Sequence, residues 1–444
     1  MLIGYELYLD VKVQHPGMPK SSISVSYSNP QGVYYPGTNV EGVVHLELTE
    51  SIKARSLRIT VDGRAHTYWK VTRSRTVSTA RTENYTETYS ASVIYTEGTS
   101  VAWSAPKGSK EVLNAGSYQF PFTFHLPLDC APSFEGLYGY IRYMIKVELD
   151  RPWRFNKTDK RLFTVIPMFD LNTIPDAAMP IKECVVKNLG IVLFRHGKVS
   201  VQCEIPKTGF VPGETIVINA YVINDSSKDI VKASTKLVEI SKYVAFRHGS
   251  TLNHGYFIVN QNMDNSREQQ RKLATGEQDV CIEKKGRGNV QLYLQVPPTV
   301  PTFNCCPIVS VEYIVKVKFK TLASFKGNVG THCNIIVGTI PVRSPHVPPQ
   351  PSAPPSAPQA DMPLPSSSGP SAPPLETPPP AYPVLNGDSV NGPPPPSYEE
   401  AVQGTGGTTM DTDDMEPFVP RYPFYPQLTD IASEKRRIDD TCTA

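Results

Sequence analysis

Along much of the first 340 positions, apolar and polar residues alternate with a period of two. Val43-Val44-His45-Leu46-Glu47-Leu48, Leu57-Arg58-Ile59-Thr60-Val61-Asp62 and Val199-Ser200-Val201-Gln202-Cys203 all carry this mark of a half-buried strand. Turn-forming pairs punctuate such segments: Pro36-Gly37, Asp62-Gly63, Glu135-Gly136 and Pro212-Gly213. No long stretch keeps the 3.6-residue period of a helix. Short strands between recurring turns predict an all-β chain built from β-sandwiches. Residues 70–100, rich in Thr, Ser, Tyr and Arg, fit either polar strands or a long surface loop.

The pattern also repeats. Val33-Tyr34-Tyr35-Pro36-Gly37-Thr38-Asn39-Val40 is echoed 176 positions on by Gly209-Phe210-Val211-Pro212-Gly213-Glu214-Thr215-Ile216. Ile141-Arg142-Tyr143-Met144-Ile145-Lys146-Val147 is echoed 170 positions on by Val311-Glu312-Tyr313-Ile314-Val315-Lys316-Val317. Two echoes in the same order at similar offsets predict a duplicated unit of about 165 residues, a comfortable single-domain size. The expected domains are therefore 1–166 and 181–340. Between them, in 167–180, Pro167 and Pro175 remove backbone donors and oppose helix, which predicts a short ordered connector.

From Pro341 the strand pattern fails, and 25 of the 43 prolines fall in 341–444. Low-complexity Pro/Ser/Ala text buries too little apolar area to offset chain entropy, so a disordered or polyproline II tail is expected. As a coil it would reach roughly 55 Å end to end. Charge divides along the same line. The tail carries a formal −8, leaving +10 on residues 1–340. A basic body suits anionic lipid or acidic partners, although a solvated surface explains it equally well. No apolar stretch approaches the roughly 20 residues that span a bilayer, so membrane association is expected to be peripheral. The N-terminal Met1-Leu2-Ile3-Gly4-Tyr5-Glu6 turns polar too early for a secretory signal. The eight cysteines form no Cys-x-x-Cys pair, which leaves zinc-ribbon and thioredoxin-type readings without support and suggests reduced thiols. The Asn-x-Ser/Thr triplets beginning at Asn84, Asn156 and Asn224 are then chance matches.

The chemistry lies in the tail. Two Pro-Pro-x-Tyr motifs occur, Pro379-Pro380-Ala381-Tyr382 and Pro395-Pro396-Ser397-Tyr398, where tail composition alone gives about 0.2. Paired prolines preset a polyproline II strand whose rings lie between the aromatic side chains of a WW-domain groove, with the tyrosine in a neighbouring pocket. Glu399 and Glu400 can add charge complementarity. A third, degenerate site is Val419-Pro420-Arg421-Tyr422, which lacks the first proline. Pro-Ser-Ala-Pro occurs three times: Pro351-Ser352-Ala353-Pro354, Pro355-Ser356-Ala357-Pro358 and Pro370-Ser371-Ala372-Pro373. This tetrapeptide resembles the one by which budding adaptors engage the ESCRT-I complex, although duplication of a short repeat can also generate it.

Several motifs of the body stand out together: Val33-Tyr34 with Pro36-Gly37, Gly63 with Trp69, Gly116-Ser117-Tyr118-Gln119-Phe120-Pro121-Phe122, and Pro132-Ser133-Phe134-Glu135-Gly136. The second half adds Gly209-Phe210-Val211-Pro212-Gly213-Glu214 and Asn224-Asp225-Ser226-Ser227-Lys228. As an ordered set these residues resemble the α-arrestins. The resemblance implies two tandem sandwiches and an adaptor that brings WW-domain HECT ubiquitin ligases to membrane receptors or transporters. It implies a cytoplasmic protein, peripheral at plasma membrane and endosomes, with ESCRT-I as a possible further partner. The charged core by which visual and β-arrestins sense phosphates is not found, so that mechanism is not carried over. The alternative is a signalling or redox scaffold that binds thioredoxin through a cysteine.

No enzyme motif competes. There is no phosphate loop, His-Glu-x-x-His helix or Gly-x-Ser-x-Gly elbow, and Gly286-Arg287-Gly288 is a lone fragment. His332 and Cys333 would point to opposite faces of a strand. No cofactor, metal or nucleic acid is expected. Trp69, Trp103 and Trp153 read as packing residues. Arg73, Arg75 and Arg81, or Lys157, Lys160 and Arg161, read as solvated surface before anion-binding patches.

Overall fold

A computed structural model describes residues 21–78, 81–106, 112–191, 194–247, 251–253, 265–322, 327–343, 396–401 and 418–428. The chain divides into two compact units. The first comprises Met1–Pro167, Ala245–Asn260 and Thr408–Phe418, and the second Met168–Val244, Gln261–Gly407 and Val419–Ala444.

Unit 1 begins with β1 (Ser22–Tyr27), β2 (Val33–Tyr34), β3 (Asn39–Leu48), β4 (Ile52–Lys53), β5 (Ser56–Ser78) and β6 (Arg81–Ser104). It continues with β7 (Val112–Leu113), β8 (Gly116–His125), β9 (Phe134–Glu135), β10 (Gly139–Asp150) and β11 (Lys157–Val165). One sheet runs β1-β3-β8, and the other contains β6-β5-β10-β11-β2. Period two appears in β10, where Ile141, Tyr143, Ile145, Val147 and Leu149 are fully buried and the residues between them are half-exposed. Their counterparts across the core include Val40, Val44 and Leu46 of β3. Bonds between the sheets fix their stacking: Val25 N–H donates to Asp159 Oδ2 (3.0 Å), and the Tyr27 hydroxyl donates to the Arg161 carbonyl (2.5 Å). The Thr/Ser/Tyr/Arg-rich stretch is strand, forming the long β5–β6 hairpin.

Unit 2 contains β12 (Ile181–Ile191), β13 (Phe194–Ile205), β14 (Gly209–Phe210), β15 (Thr215–Ser226) and β16 (Ile230–Val244). The next strands, β17 (Phe246–Arg247) and β18 (Thr251–Asn253), pair with β6 and so belong to unit 1. Unit 2 resumes with β19 (Ser266–Ile282), β20 (Arg287–Gln295), β21 (Val309–Thr321), β22 (Asn328–Val337), β23 (Ser397–Glu400) and β24 (Arg421–Phe424). Its sheets are β12-β13-β15-β20 and β14-β22-β21-β16-β19, with β23 and β24 paired separately.

The two units share a plan. β2 pairs in parallel with β11, and β14 in parallel with β22. The repeated tyrosines occupy matching places: Tyr143 donates to the Ala131 carbonyl (2.7 Å) and Tyr313 to the Val300 carbonyl (2.6 Å), both within cores. Gly37 and Gly213, each after its proline, have φ +78° and +99°, where a side chain is strained. The segment before β12 folds as two 3-10 turns, Leu171–Thr173 and Pro175–Ala178. Asp170 starts the first by accepting from the Asn172 amide (2.9 Å). The segment is tied to the last strand region of unit 2, where Phe169 N–H donates to Thr339 Oγ1 (2.7 Å).

One tryptophan departs from expectation. Trp69 is buried and stacks on Tyr89, but Trp153 is 97% exposed, as is Phe155. Both lie in the β10–β11 connection, where Trp153 takes a left-handed φ of 61° that turns its ring outward from the sheet. Asn224 is fully buried and donates to the carbonyls of Lys228, Ile282 and Glu283, which closes that triplet to any modifying group in the folded chain. No helix among the described residues is long and apolar enough to cross a membrane.

Candidate functional site

Of the tail motifs, the first Pro-Pro-x-Tyr (Pro379, Pro380, Tyr382), Pro395 of the second and all three Pro-Ser-Ala-Pro copies lie outside the described residues. The rest of the second motif is described. Pro396 is buried, Ser397 exposed and Tyr398 half-buried, and Glu399 and Glu400 face solvent. Residues 397–400 are a strand, β23, rather than the free polyproline II segment expected from composition. It pairs antiparallel with β24, setting Ser397 against Phe424, Tyr398 against Pro423, Glu399 against Tyr422 and Glu400 against Arg421. Ser397 Oγ donates to the Phe424 carbonyl (3.2 Å), the Ala401 amide to the Pro420 carbonyl (3.0 Å), and Arg421 faces Glu400 at 3.5 Å.

The partner strand is held by Tyr425, the residue immediately after it. Tyr425 is 3% exposed, and its ring completes an apolar cluster with Leu171, Ala177 and Val211, flanked by Ile336 and Leu428. Its amide donates to the Pro212 carbonyl (3.0 Å) and its hydroxyl to the Thr339 carbonyl (2.6 Å). Gly213 makes room for it: a Cβ there would collide with the Tyr425 backbone carbonyl. Tyr422 is 2% exposed. The degenerate WW site read at Val419–Tyr422 is thereby corrected, since its tyrosine is a packing residue of unit 2. Composition concealed this because proline density dominates the tail, whereas the signal lay in the aromatic spacing Tyr422-Pro423-Phe424-Tyr425.

Beside Tyr422 lies a buried ion pair. Arg271 Nη2 donates to Glu239 Oε2 (2.8 Å), and Ser241 Oγ donates to Glu239 Oε1 (3.0 Å), with Glu239 1% exposed. Burial works against the Arg271 charge, but the Glu239 carboxylate outweighs it, with Tyr313 and Tyr422 adding to the effect, and its pKa is raised. In unit 1 a second buried carboxylate, Glu87, accepts from Arg73 (2.7 Å) and Tyr89 (3.0 Å) and faces Arg247 (3.0 Å). The Arg73 hydrogen bond holds its carboxyl below the usual range. The candidate anion patches are thus largely occupied. Arg75 faces Glu83, Lys157 donates to the Ser21 carbonyl, and Arg161 donates to the Val25 carbonyl while covering the Tyr27 ring.

His332 is exposed and Cys333 buried, on opposite faces of β22. Burial pushes the thiols of Cys130 and Cys203 up to about 12 and that of Cys333 up to about 11. Cys184, Cys281 and Cys305 are exposed. A cleft of about 1000 Å³ between β19 and β20 is lined by Thr235, Glu277, Asp279, Cys281, Gln291 and Tyr293 among others, and Glu277 there is engaged by Lys232 (3.1 Å). Among the described residues no cluster of His, Cys, Asp and Glu could hold a metal ion.

Similarity to known proteins coincides with the two sandwiches. The family profile described as arrestin (or S-antigen), N-terminal domain, matches residues 23–172, and the corresponding C-terminal domain profile matches 195–342. Arrestin domain-containing protein 4 of Homo sapiens is 29% identical over 343 residues, covering 76% of this chain and 76% of that protein. Arrestin domain-containing protein 17 of Caenorhabditis elegans is 27% identical over 322 residues, 71% of this chain and 70% of the relative. The thioredoxin-interacting protein of Homo sapiens is 27% identical over 296 residues, 66% and 68% of the two chains. With both domain profiles matched in order over two sandwiches of the same plan, the chain belongs to the arrestin family, among its arrestin-domain-containing members.

Proposed function

We propose that the chain is a non-enzymatic trafficking adaptor that links membrane receptors or transporters to WW-domain HECT ubiquitin ligases, for ubiquitin-dependent endocytosis and endosomal sorting. Membership of the arrestin family supports an adaptor role. The observation that carries the ligase reading is the pair of Pro-Pro-x-Tyr motifs ending at Tyr382 and Tyr398, on a tail that succeeds an arrestin body. Sixteen residues separate the tyrosines, a coil span of roughly 20–24 Å, so tandem WW domains can engage both and gain about 10²–10⁴ in avidity. The Pro-Ser-Ala-Pro copies at 351–358 and 370–373 add an ESCRT-I contact to the same tail. The protein works in the cytoplasm, peripheral at plasma membrane and endosomes. The +10 body supports this placement, as does the exposed Trp153 and Phe155 tip beside Arg151 and Arg154, a pairing of aromatic and basic residues suited to a membrane surface.

The test is binding of a purified tandem WW fragment to the full chain and to a Tyr382→Ala/Tyr398→Ala variant. Loss of at least a hundredfold in affinity is expected, and undiminished binding refutes the reading. The redox alternative draws on the similarity to thioredoxin-interacting protein and on the exposed Cys184, Cys281 and Cys305. It predicts capture of thioredoxin that reducing agent abolishes, with no dependence on Tyr382 or Tyr398.

A further inference from the structure

The Pro212-Gly213 turn of unit 2 and the Pro36-Gly37 turn of unit 1 are counterparts, yet their surroundings differ. A Cβ on Gly37 would meet the exposed Leu128 side chain of the β8–β9 connection, so that turn meets a neighbouring loop of its own unit. A Cβ on Gly213 would meet the backbone of Tyr425 at three atoms, so the equivalent position in unit 2 is a seat for a distant segment of chain. The seat reads that segment by shape and by polar contacts. An apolar floor of Leu171, Ala177 and Val211 takes the ring, while the Pro212 and Thr339 carbonyls accept its amide and hydroxyl. Tyr422, three residues earlier, is buried beside Arg271. β24 is therefore anchored in its second half and offers its free edge to β23.

The two links differ in strength. β24 is fixed by two buried aromatic residues, whereas β23 is held by a short ladder opposite Pro423, which has no amide to donate. A two-stranded ribbon of this length is only marginally stable in water. A WW groove needs the faces of Pro395 and Pro396 and the whole ring of Tyr398. With Pro396 buried and Tyr398 half-buried, that groove cannot close on the motif while β23 is paired.

We propose that residues 420–428 form an intramolecular clamp, seated on the C-terminal sandwich, that holds the second Pro-Pro-x-Tyr motif closed and releases it for WW binding only when β23 leaves β24. The inference rests on the recruitment reading for its consequence, but the clamp itself does not. Apparent WW affinity for this motif is then reduced by the fraction of chains in which β23 is open.

The experiment uses the full chain with Tyr382→Ala, so that only Tyr398 reports, and a single purified WW domain. Three ligands are compared: this chain, the same chain with Tyr425→Ala, and a free peptide of residues 391–401. The Tyr425→Ala chain and the peptide are expected to bind at least tenfold more tightly than the clamped chain, and equal affinity for all three overturns the clamp. An excess of a free 424–428 peptide, which fills the seat with Tyr425 but lacks most of β24, should open the Tyr382→Ala chain in the same way, which covers the case of a misfolded Tyr425 variant. Hydrogen exchange at the amides of 397–401 decides the clamp without any WW domain. Protection that disappears with Tyr425→Ala supports it, and absence of protection in the intact chain overturns it. A 391–401 peptide that binds no WW domain would instead sink the recruitment reading for this motif, leaving the exchange result to judge the clamp.

Discussion

The Glu239–Arg271 pair permits a quantitative prediction. Glu239 lies inside unit 2 with two donors, Arg271 and Ser241, and no solvent to replace either. Arg271→Met removes the positive partner and leaves a buried carboxylate with only a hydroxyl. Breaking a buried pair in this way costs about 3–5 kcal/mol, because the remaining charge is uncompensated. For a domain of this size, that lowers the melting temperature of unit 2 by roughly 6–20 °C. The companion variant Glu239→Leu/Arg271→Met removes both charges together and should recover most of the loss, since replacing a buried pair by apolar residues is often neutral. Differential scanning calorimetry of the full chain reads both. A fall of less than about 2 °C for Arg271→Met, or a double variant as unstable as the single one, would refute the claim that the pair is desolvated and mutually dependent.

Named contacts give further expectations. Because Arg73 lowers the Glu87 pKa, the stability Glu87 provides is complete above the unfolded value, roughly pH 4, and is lost as pH falls through the folded one; Glu87→Gln should flatten the acid limb of an unfolding profile. Iodoacetamide at pH 8 should label Cys184 and Cys281 in the native chain before Cys130 and Cys203, whose thiolate fraction at a pKa of about 12 is on the order of 10⁻⁴; peptide mass spectrometry checks the order. Vesicles containing phosphatidylserine should shift the tryptophan emission to the blue, and Trp153→Phe should abolish most of that shift, because Trp69 is buried and Trp103 is half-buried within β6. An equal shift with phosphatidylcholine alone would count against the basic contribution.

Much of the fold was legible because strands with one buried face must alternate. Val43–Leu48, Leu57–Asp62 and Val199–Cys203 fall in β3, β5 and β13, and the duplication appears as matched Tyr143 and Tyr313 and matched Gly37 and Gly213. The nature of 70–100 was not legible, since a long hairpin with polar outer faces has the composition of a loop. Trp153 was misplaced because side-chain apolarity says nothing about a left-handed turn that expels the ring. The tail anchor was missed for a related reason. Tyr425 buries itself in a seat assembled from Leu171, Val211, Pro212 and Thr339, and Tyr422 is buried beside Arg271, residues that no local window joins to the tail.

Ubiquitin transfer in a purified reaction is the most direct test of the adaptor reading. A WW-bearing HECT ligase should modify lysines of the 1–340 body, because the tail carries only Lys435, and Tyr382→Ala/Tyr398→Ala should abolish the reaction. Equal ubiquitylation of the two chains at equal ligase concentration would contradict it.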